Sequence, residues 1–288
     1  MTTLTTDETV LRQWIGRSET RTGRIDAEPG RRMQALLDRE PSLVDGDALP
    51  PLWTWFYFLD NHRVGVLERD GRTVLGDFLP PVSLPRRMWA GGRFRFERPL
   101  LIGESGRKVS EIADVRVKEG RTGTLCFITA LHKYTGADGS LCITEEHDMV
   151  YREDPSPDSP KPRPPTAPKG ATASRTISPN ELMLFRYSAL TYNGHRIHYD
   201  REYCRKVEGY PDLVFHGPLT ATLLANLAVE TGDGRTLVEF DYRAVSPLYD
   251  TADFTIHAKL SEDDVSVLDL WAINPDGGLA MTARALFS

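Results

Sequence analysis

Apolar and polar positions alternate along two similar blocks of this 288-residue chain. Near the end of the first block, "FITALHKYTGADGSLCITEEHDMVY" (127–151) reads as a strand, a Gly-Asp-rich turn and a second strand. Near the end of the second, "LDLWAINPDGGLAMTARALF" (268–287) has the same plan, with "NPDGG" at the turn. Upstream, "RFRFERPLLIGE" (93–104) matches "EFDYRAVSPLYD" (239–250): an alternating strand, a proline and a kinked exit. Order and proline placement both recur, which implies an ancient duplication of one antiparallel lobe.

The period changes to that of a helix in "GPLTATLLANLAVETG" (217–232). Leu219, Leu223, Leu224 and Leu227 fall at i, i+4, i+5 and i+8, one broad apolar face. Pro218 suits the first helical turn, where a missing N–H costs nothing, and Gly232 suits the stop. A meander wrapped around such a helix buries it almost completely, which is the hot-dog arrangement. In the first lobe "RRMQALLDRE" (31–40) predicts a helix, and "LPPLWTWFYFLD" (49–60) is the segment expected to enter the core. The fold class is therefore α+β, a double hot-dog of two lobes, each an antiparallel sheet around a central helix.

The stretch "DPSPDSPKPRPPTAPKG" (154–170) carries 7 of the 20 prolines and can form neither helix nor central strand. It divides the chain into an N-terminal lobe (1–153), a proline-rich connector (154–175) and a C-terminal lobe (176–288).

Composition narrows the function. Lys+Arg 35 against Asp+Glu 41 gives a net charge of −6, which disfavours nucleic acid as a partner. No apolar run is long enough to span a bilayer, and the polar, acidic start "MTTLTTDETVLRQW" lacks a signal pattern. Cys126, Cys142 and Cys204 cannot all pair and lack metal-ligand spacing, so a reducing cytoplasm is the expected home. No metal, flavin or dinucleotide-loop signature is present, and no cofactor is expected.

The chemistry concentrates in "TYNGHRIHYD" (191–200), which holds two of the 7 histidines. Asn193-Gly194 marks a turn, and loops on rigid elements are where catalytic side chains tend to lie. His198, between Ile197 and Tyr199, has an apolar setting that keeps an imidazole neutral and fit to act as a base. Eighteen residues later His216-Gly217 opens the core helix, where a backbone N–H can hold a developing oxyanion. Arg86, Arg87 and Trp89 in "LPRRMWAGG" make a basic, aromatic turn suited to a CoA phosphate or a substrate carboxylate. Arg186 and Arg196 lie close in sequence to the same loop, whereas His132, His147 and His257, in strand patterns, are expected to face solvent or fill gaps.

The strings "SALTYNGHRIHYDREYC" and "HGPL", with the closing hairpin, resemble the MaoC-like, R-specific enoyl-thioester hydratase family. Both lobes together resemble its two-lobed branch, the type 2 hydroxyacyl-thioester dehydratases and the mesaconyl-CoA and itaconyl-CoA hydratases. The family loop reads Asp-x-Asn-Pro-x-His with an acidic residue two positions on. His198 and Asp200 are in register with it, while Asn193 stands in the Asp position and His195 in the Asn position. The resemblance implies proton transfers by His198, water or substrate orientation by Asn193, and an oxyanion donor at Gly217. His195, Asp200 and His216 would position these groups, although Asp200 also suits the cap of a helix starting near Arg201. Arg86, Arg87, Trp89 and Arg196 would contact substrate or CoA.

Three functions follow as expectations. The first is a hydratase of a short branched dicarboxylic enoyl-CoA, of the mesaconyl-CoA or itaconyl-CoA type, forming a citramalyl-CoA product. The second is a 3-hydroxyacyl-thioester dehydratase of fatty-acid-type synthesis, and the third a non-catalytic acyl-thioester-binding protein, with thioesterase chemistry a lesser option. The partner in each case is a small acyl-CoA, and two lobes in one chain make a pseudo-dimer that works as a monomer or pairs further as a homodimer.

Overall fold

The computed structural model describes residues 3–120, 123–154 and 163–288. The first lobe contributes β1 (Ser18–Arg24), β2 (Arg86–Phe96), β3 (Ser105–Gly120), β4 (Gly123–Thr135) and β5 (Leu141–Arg152). The second contributes β6 (Ala173–Ile177), β7 (Leu237–Ala244), β8 (Phe254–Leu260), β9 (Val267–Ile273) and β10 (Leu279–Phe287). Helices are α1 (Glu8–Leu11), α2 (Ala27–Leu36), α3 (Glu181–Leu190), α4 (Arg201–Tyr203) and α5 (Gly217–Thr231).

All ten strands join one sheet in the order β1-β3-β4-β5-β2-β7-β10-β9-β8-β6. From the centre outward the lobes run β2-β5-β4-β3-β1 and β7-β10-β9-β8-β6, the same order in each half of the chain. The antiparallel seam between β2 and β7 pairs Phe94 with Phe240. Aligning 93–104 with 239–250 makes those two phenylalanines counterparts, so the pseudo-two-fold axis of the duplication passes through this pair. The two lobes of the double hot-dog thereby share a continuous sheet.

The core helix of the second lobe is α5. Leu219 to Ala228 are all buried, with Leu219, Leu224 and Ala225 at 0% exposure. A helix apolar all round is stable only when covered all round, and β7 to β10 cover it. Thr220 and Thr222 fit this setting because each hydroxyl bonds back to a carbonyl one turn earlier, His216 O at 3.2 Å and Pro218 O at 2.9 Å.

Among the described residues the first lobe has no helix of that length. Its helix spans 27–36 rather than 31–40, because Asp26 takes the N-cap position, Pro29 fits the first turn and Asp38 turns left-handed at φ 55°. The segment expected to enter the core does so as a 3₁₀ turn, Trp53–Phe56, with Trp53, Phe56 and Tyr57 buried. Of the expected connector, residues 155–162 lie outside the described residues. Its later part is already engaged with the second lobe: Leu279 N–H donates to Pro165 O at 2.9 Å, and β6 begins at Ala173.

A shorter first-lobe helix leaves part of the concave face of β3–β5 without apolar cover. One cluster there contains Tyr134, Ile143 and Phe94, and a second contains Leu84, Ile128, Met149 and Tyr151. Between them runs a polar band of Ser110, His132, Glu145 and His147. Glu146 and Asp148 pair with Arg93 on the outer face, so strand alternation turns Glu145 and His147 inward. His132 and His147 therefore do not face solvent: both line this band, and His132 is 7% exposed.

Candidate active site

Three elements of the second lobe converge on one group of imidazoles. Asn180 caps α3, accepting from Met183 N–H at 2.9 Å, and Tyr187 and Ser188 on its buried face reach the start of α5. Tyr192, left-handed at φ 52°, ends that run and releases the loop 193–200. The loop passes into a 3₁₀ turn, Arg196–His198, that buries His198 at 7% exposure.

His198 and His216 stack face to face, ring centroids 3.7 Å apart and planes 17° from parallel, and His195 meets His198 edge-on at 5.6 Å. Nδ1 of His198 lies 2.7 Å from Val214 O. A carbonyl only accepts, so Nδ1 carries the proton and neutral His198 presents Nε2 as a bare lone pair. Burial pushes the His198 pKa down to about 4, against the smaller upward pull of the Val214 bond. Burial also holds His195 and His216 well below the usual range, with nearby imidazoles adding to the effect. His216 Nε2 is held by Ser188 Oγ at 2.9 Å, and Tyr187 packs edge-on against its ring.

His216 is also the residue before α5. The first intrahelical bond at that end runs from Thr220 N–H to His216 O, 3.0 Å, so the Gly217 N–H has no acceptor within the helix. A Cβ built on Gly217 would meet only Trp89 Cβ, at 4.0 Å, which places Trp89 of β2 across the opening. Gly217 thus joins a helix N-terminus, an uncovered donor and space for a ligand atom beside His198.

The other expected residues serve the scaffold. Asn193 Oδ1 accepts from His195 N–H at 3.0 Å, and Asn193 N–H donates to Ser188 O at 2.8 Å, so this residue shapes the loop and keeps only its amide NH₂ for anything else. Asp200 does not partner His198: it caps α4 by accepting from Tyr203 N–H at 2.9 Å and pairs with Arg196 at 2.7 Å. Arg196 spends its charge on that pair and on the face of Tyr203, 4.2 Å away. Arg86 is tied to Asp154 at 2.7 Å and to Glu208 at 3.4 Å. Arg186 lies on the exposed face of α3.

A contribution from the first lobe was not legible from motifs. The turn at Asp70–Arg72 docks on the loop 193–200, with Arg196 N–H donating to Asp70 O at 2.9 Å. Gly71 is left-handed at φ 85°, and a Cβ there would lie 1.9 Å from Gly194 O, so two glycines permit the contact. Asp70 is 4% exposed, pairs with Arg72, and sets Oδ2 4.0 Å from His195 Nε2. A first-lobe carboxylate thus lies near His195 without a hydrogen bond to it, its oxygens accepting from Arg72 N–H and the Arg72 guanidinium. "RDG" reads only as a turn in sequence, and nothing linear links it to residues 193–196.

His132, Glu145 and His147 place one potential metal ligand each within 4.8 Å of the others. The donor set suits a metal poorly, because both Glu145 oxygens already accept, from Trp55 Nε1 at 2.8 Å and Tyr134 OH at 2.7 Å. The charge of Lys108 also lies near Glu145 and opposes the burial that raises its pKa.

Known proteins converge on one kind of chemistry. The family model "Hydroxyacyl-thioester dehydratase type 2" matches residues 52–250. A mesaconyl-C(4)-CoA hydratase of Chloroflexus aurantiacus is 43% identical over 272 residues, 94% of this chain and 95% of the relative. A mitochondrial type 2 hydroxyacyl-thioester dehydratase of Schizosaccharomyces pombe is 30% identical over 70% of this chain and 75% of its own. Among solved structures, a MaoC-like dehydratase matches with a TM-score of 0.69 at 16% identity, covering 96% of this chain and 100% of that one. A Mycobacterium tuberculosis protein with a double hot-dog fold matches with a TM-score of 0.57 at 13% identity, covering 95% of this chain and 96% of that one.

Proposed function

The chain belongs to the type 2 hydroxyacyl-thioester dehydratase family and is a hydro-lyase, and we propose that it hydrates a short branched dicarboxylic enoyl-CoA of the mesaconyl-C4-CoA type, giving a citramalyl-CoA. One observation carries the substrate class. The chain is 43% identical over 94% of its length to a mesaconyl-C(4)-CoA hydratase, and Arg87 lines the crevice beside His195, where a substrate carboxylate needs a cation.

The chemistry follows from the geometry. The thioester carbonyl oxygen accepts from Gly217 N–H at the positive end of α5. His198 Nε2 takes a proton from water as the water oxygen bonds to the β-carbon. The π electrons pass to the α-carbon and the carbonyl oxygen, and the enolate-like charge is held by the Gly217 donor. Protonated His198 returns its proton to the α-carbon, so the net change is addition of H and OH across the double bond. A buried imidazole with a low pKa gives up that proton readily. Asn193 orients the water through its amide, and His195, steadied by Asp70, keeps the loop in place. No cofactor takes part in this scheme; CoA is part of the substrate.

Two lobes in one chain supply both sides of the site, so a monomer holds a complete centre. The cysteines, all free and buried, suit a reducing cytoplasm, and among the described residues no helix is long and apolar enough to cross a membrane. The test is loss of enoyl-thioester absorbance on mesaconyl-C4-CoA, itaconyl-CoA, crotonyl-CoA and a long-chain enoyl-CoA. Turnover favouring the dicarboxylates is expected. Preference for the long chain would move the protein to fatty-acid-type synthesis, and release of free thiol would make it a thioesterase.

A further inference from the structure

Arg72, Arg86 and Arg87 line the cleft together with His195. Two of them are committed: Arg72 to Asp70, and Arg86 to Asp154 and Glu208. Among the described residues Arg87 has no acidic partner. A guanidinium beside a catalytic loop without a carboxylate of its own is set to receive one.

A further polar group lies beside Arg87. Tyr151 is the register partner of Arg87 across β2 and β5, so their side chains share the concave face. Its hydroxyl lies beside the Arg87 guanidinium, and His147 Nε2 is buried without a hydrogen-bond partner. Unsatisfied buried polar atoms are uncommon in proteins and call for an explanation. The charge of Arg87 reaches both residues, as well as His195. Trp89 joins them to the reacting centre, lying 4.3 Å from the His147 ring on one side and facing Gly217 on the other.

We infer that Arg87, with Tyr151 OH beside its guanidinium, forms the receptor for the free carboxylate of the substrate, the group carried on the β-carbon of a mesaconyl-C4-type thioester. This inference rests on the proposed function and extends it by naming the residues that set specificity. With the thioester oxygen at Gly217 and the β-carbon at His198, a carboxylate on that carbon faces the arginine edge of the cleft. The guanidinium then fixes the alkene against the base as well as selecting the substrate. Neutral Tyr151 donates a hydrogen bond without adding charge.

The experiment compares kcat/KM for mesaconyl-C4-CoA with that for 3-methylcrotonyl-CoA, in which a methyl replaces the carboxylate. The native enzyme should favour the dicarboxylate by at least a hundredfold, since a site built to bond a polar group rejects the analogue lacking it. In Arg87→Met that ratio should fall to within about tenfold of unity, and in Arg87→Lys and Tyr151→Phe to intermediate values. Circular dichroism verifies that each variant is folded, and the Lys and Phe variants keep the test available if Arg87→Met is not. A native preference that survives in Arg87→Met overturns the receptor while leaving the proposed function standing. A native ratio near unity, with both substrates turned over, overturns the dicarboxylate reading and the receptor with it.

Discussion

The His198 ring lies flat against the ring of His216, centroids 3.7 Å apart, in an interior that neither leaves when the other is charged. Two imidazoles at that spacing cannot both protonate without strong repulsion in a medium of low dielectric. Burial already favours the neutral form of each, and the pair reinforces that preference. The centre is therefore held as a base through the physiological range rather than as an acid.

This arrangement ties stability to pH. Histidines 195, 198 and 216 all have folded-state pKa values depressed below the ordinary 6.5, His198 to about 4. The unfolded chain takes up these protons as pH falls past 6.5, whereas in the folded chain His198 does so only near 4 and His195 and His216 only well below 6.5. The stabilisation is thus complete above 6.5 and lost as pH falls toward 4, on the order of 3 kcal/mol for His198 alone. Thermal melts from pH 8 to pH 4.5 should show a flat Tm down to about 6.5 and a steep decline below it. A constant Tm across that range would contradict the neutral buried trio.

Asp70 and Arg72 carry a second prediction. Both are largely buried, so Asp70→Asn leaves Arg72 as an uncompensated charge and should cost about 3 kcal/mol in urea unfolding. The double variant Asp70→Asn/Arg72→Met should recover most of that stability. Turnover should stay low in both, because His195 has lost its carboxylate in each. Recovery of kcat in the double variant would reduce Asp70 to a purely structural ion pair.

Gly71→Ala tests the docking of the lobes at the site. Its Cβ would fall 1.9 Å from Gly194 O in a left-handed backbone, and backbone cannot yield as a flexible side chain does. The turn must lift away from residues 193–196. The expected result is a kcat reduced at least tenfold and faster proteolysis of the 60–80 segment, read by limited digestion and mass spectrometry. Native digestion kinetics with native kcat would show that the contact does not hold the loop.

Much of this architecture was legible in sequence. The matched strings that placed Phe94 opposite Phe240 in the duplication also placed them side by side in the sheet. The periodicity of 217–232 located the core helix, and His198, His216 and Gly217 could be grouped from their position around it. What sequence could not show came from long-range docking. Asp70 reaches His195 across the lobe boundary through a turn with no distinguishing composition. The inward direction of His132 and His147 follows strand parity on β4 and β5, but the pattern there does not by itself say which face meets the interior, because both faces carry polar residues. Asp200 was in register with the family pattern and also legible as the cap of a helix starting near Arg201, and it is the cap that forms.

The most direct test of the account is the turnover of His198→Ala on mesaconyl-C4-CoA, followed by loss of enoyl absorbance. The fold should persist, since the substitution removes a group that resists protonation in the interior. General acid–base catalysis by a placed imidazole is worth about 10² to 10⁴ in rate, so kcat should fall by at least a hundredfold with KM changed only modestly. Native turnover in this variant would contradict the assignment of His198 as the group that moves the proton.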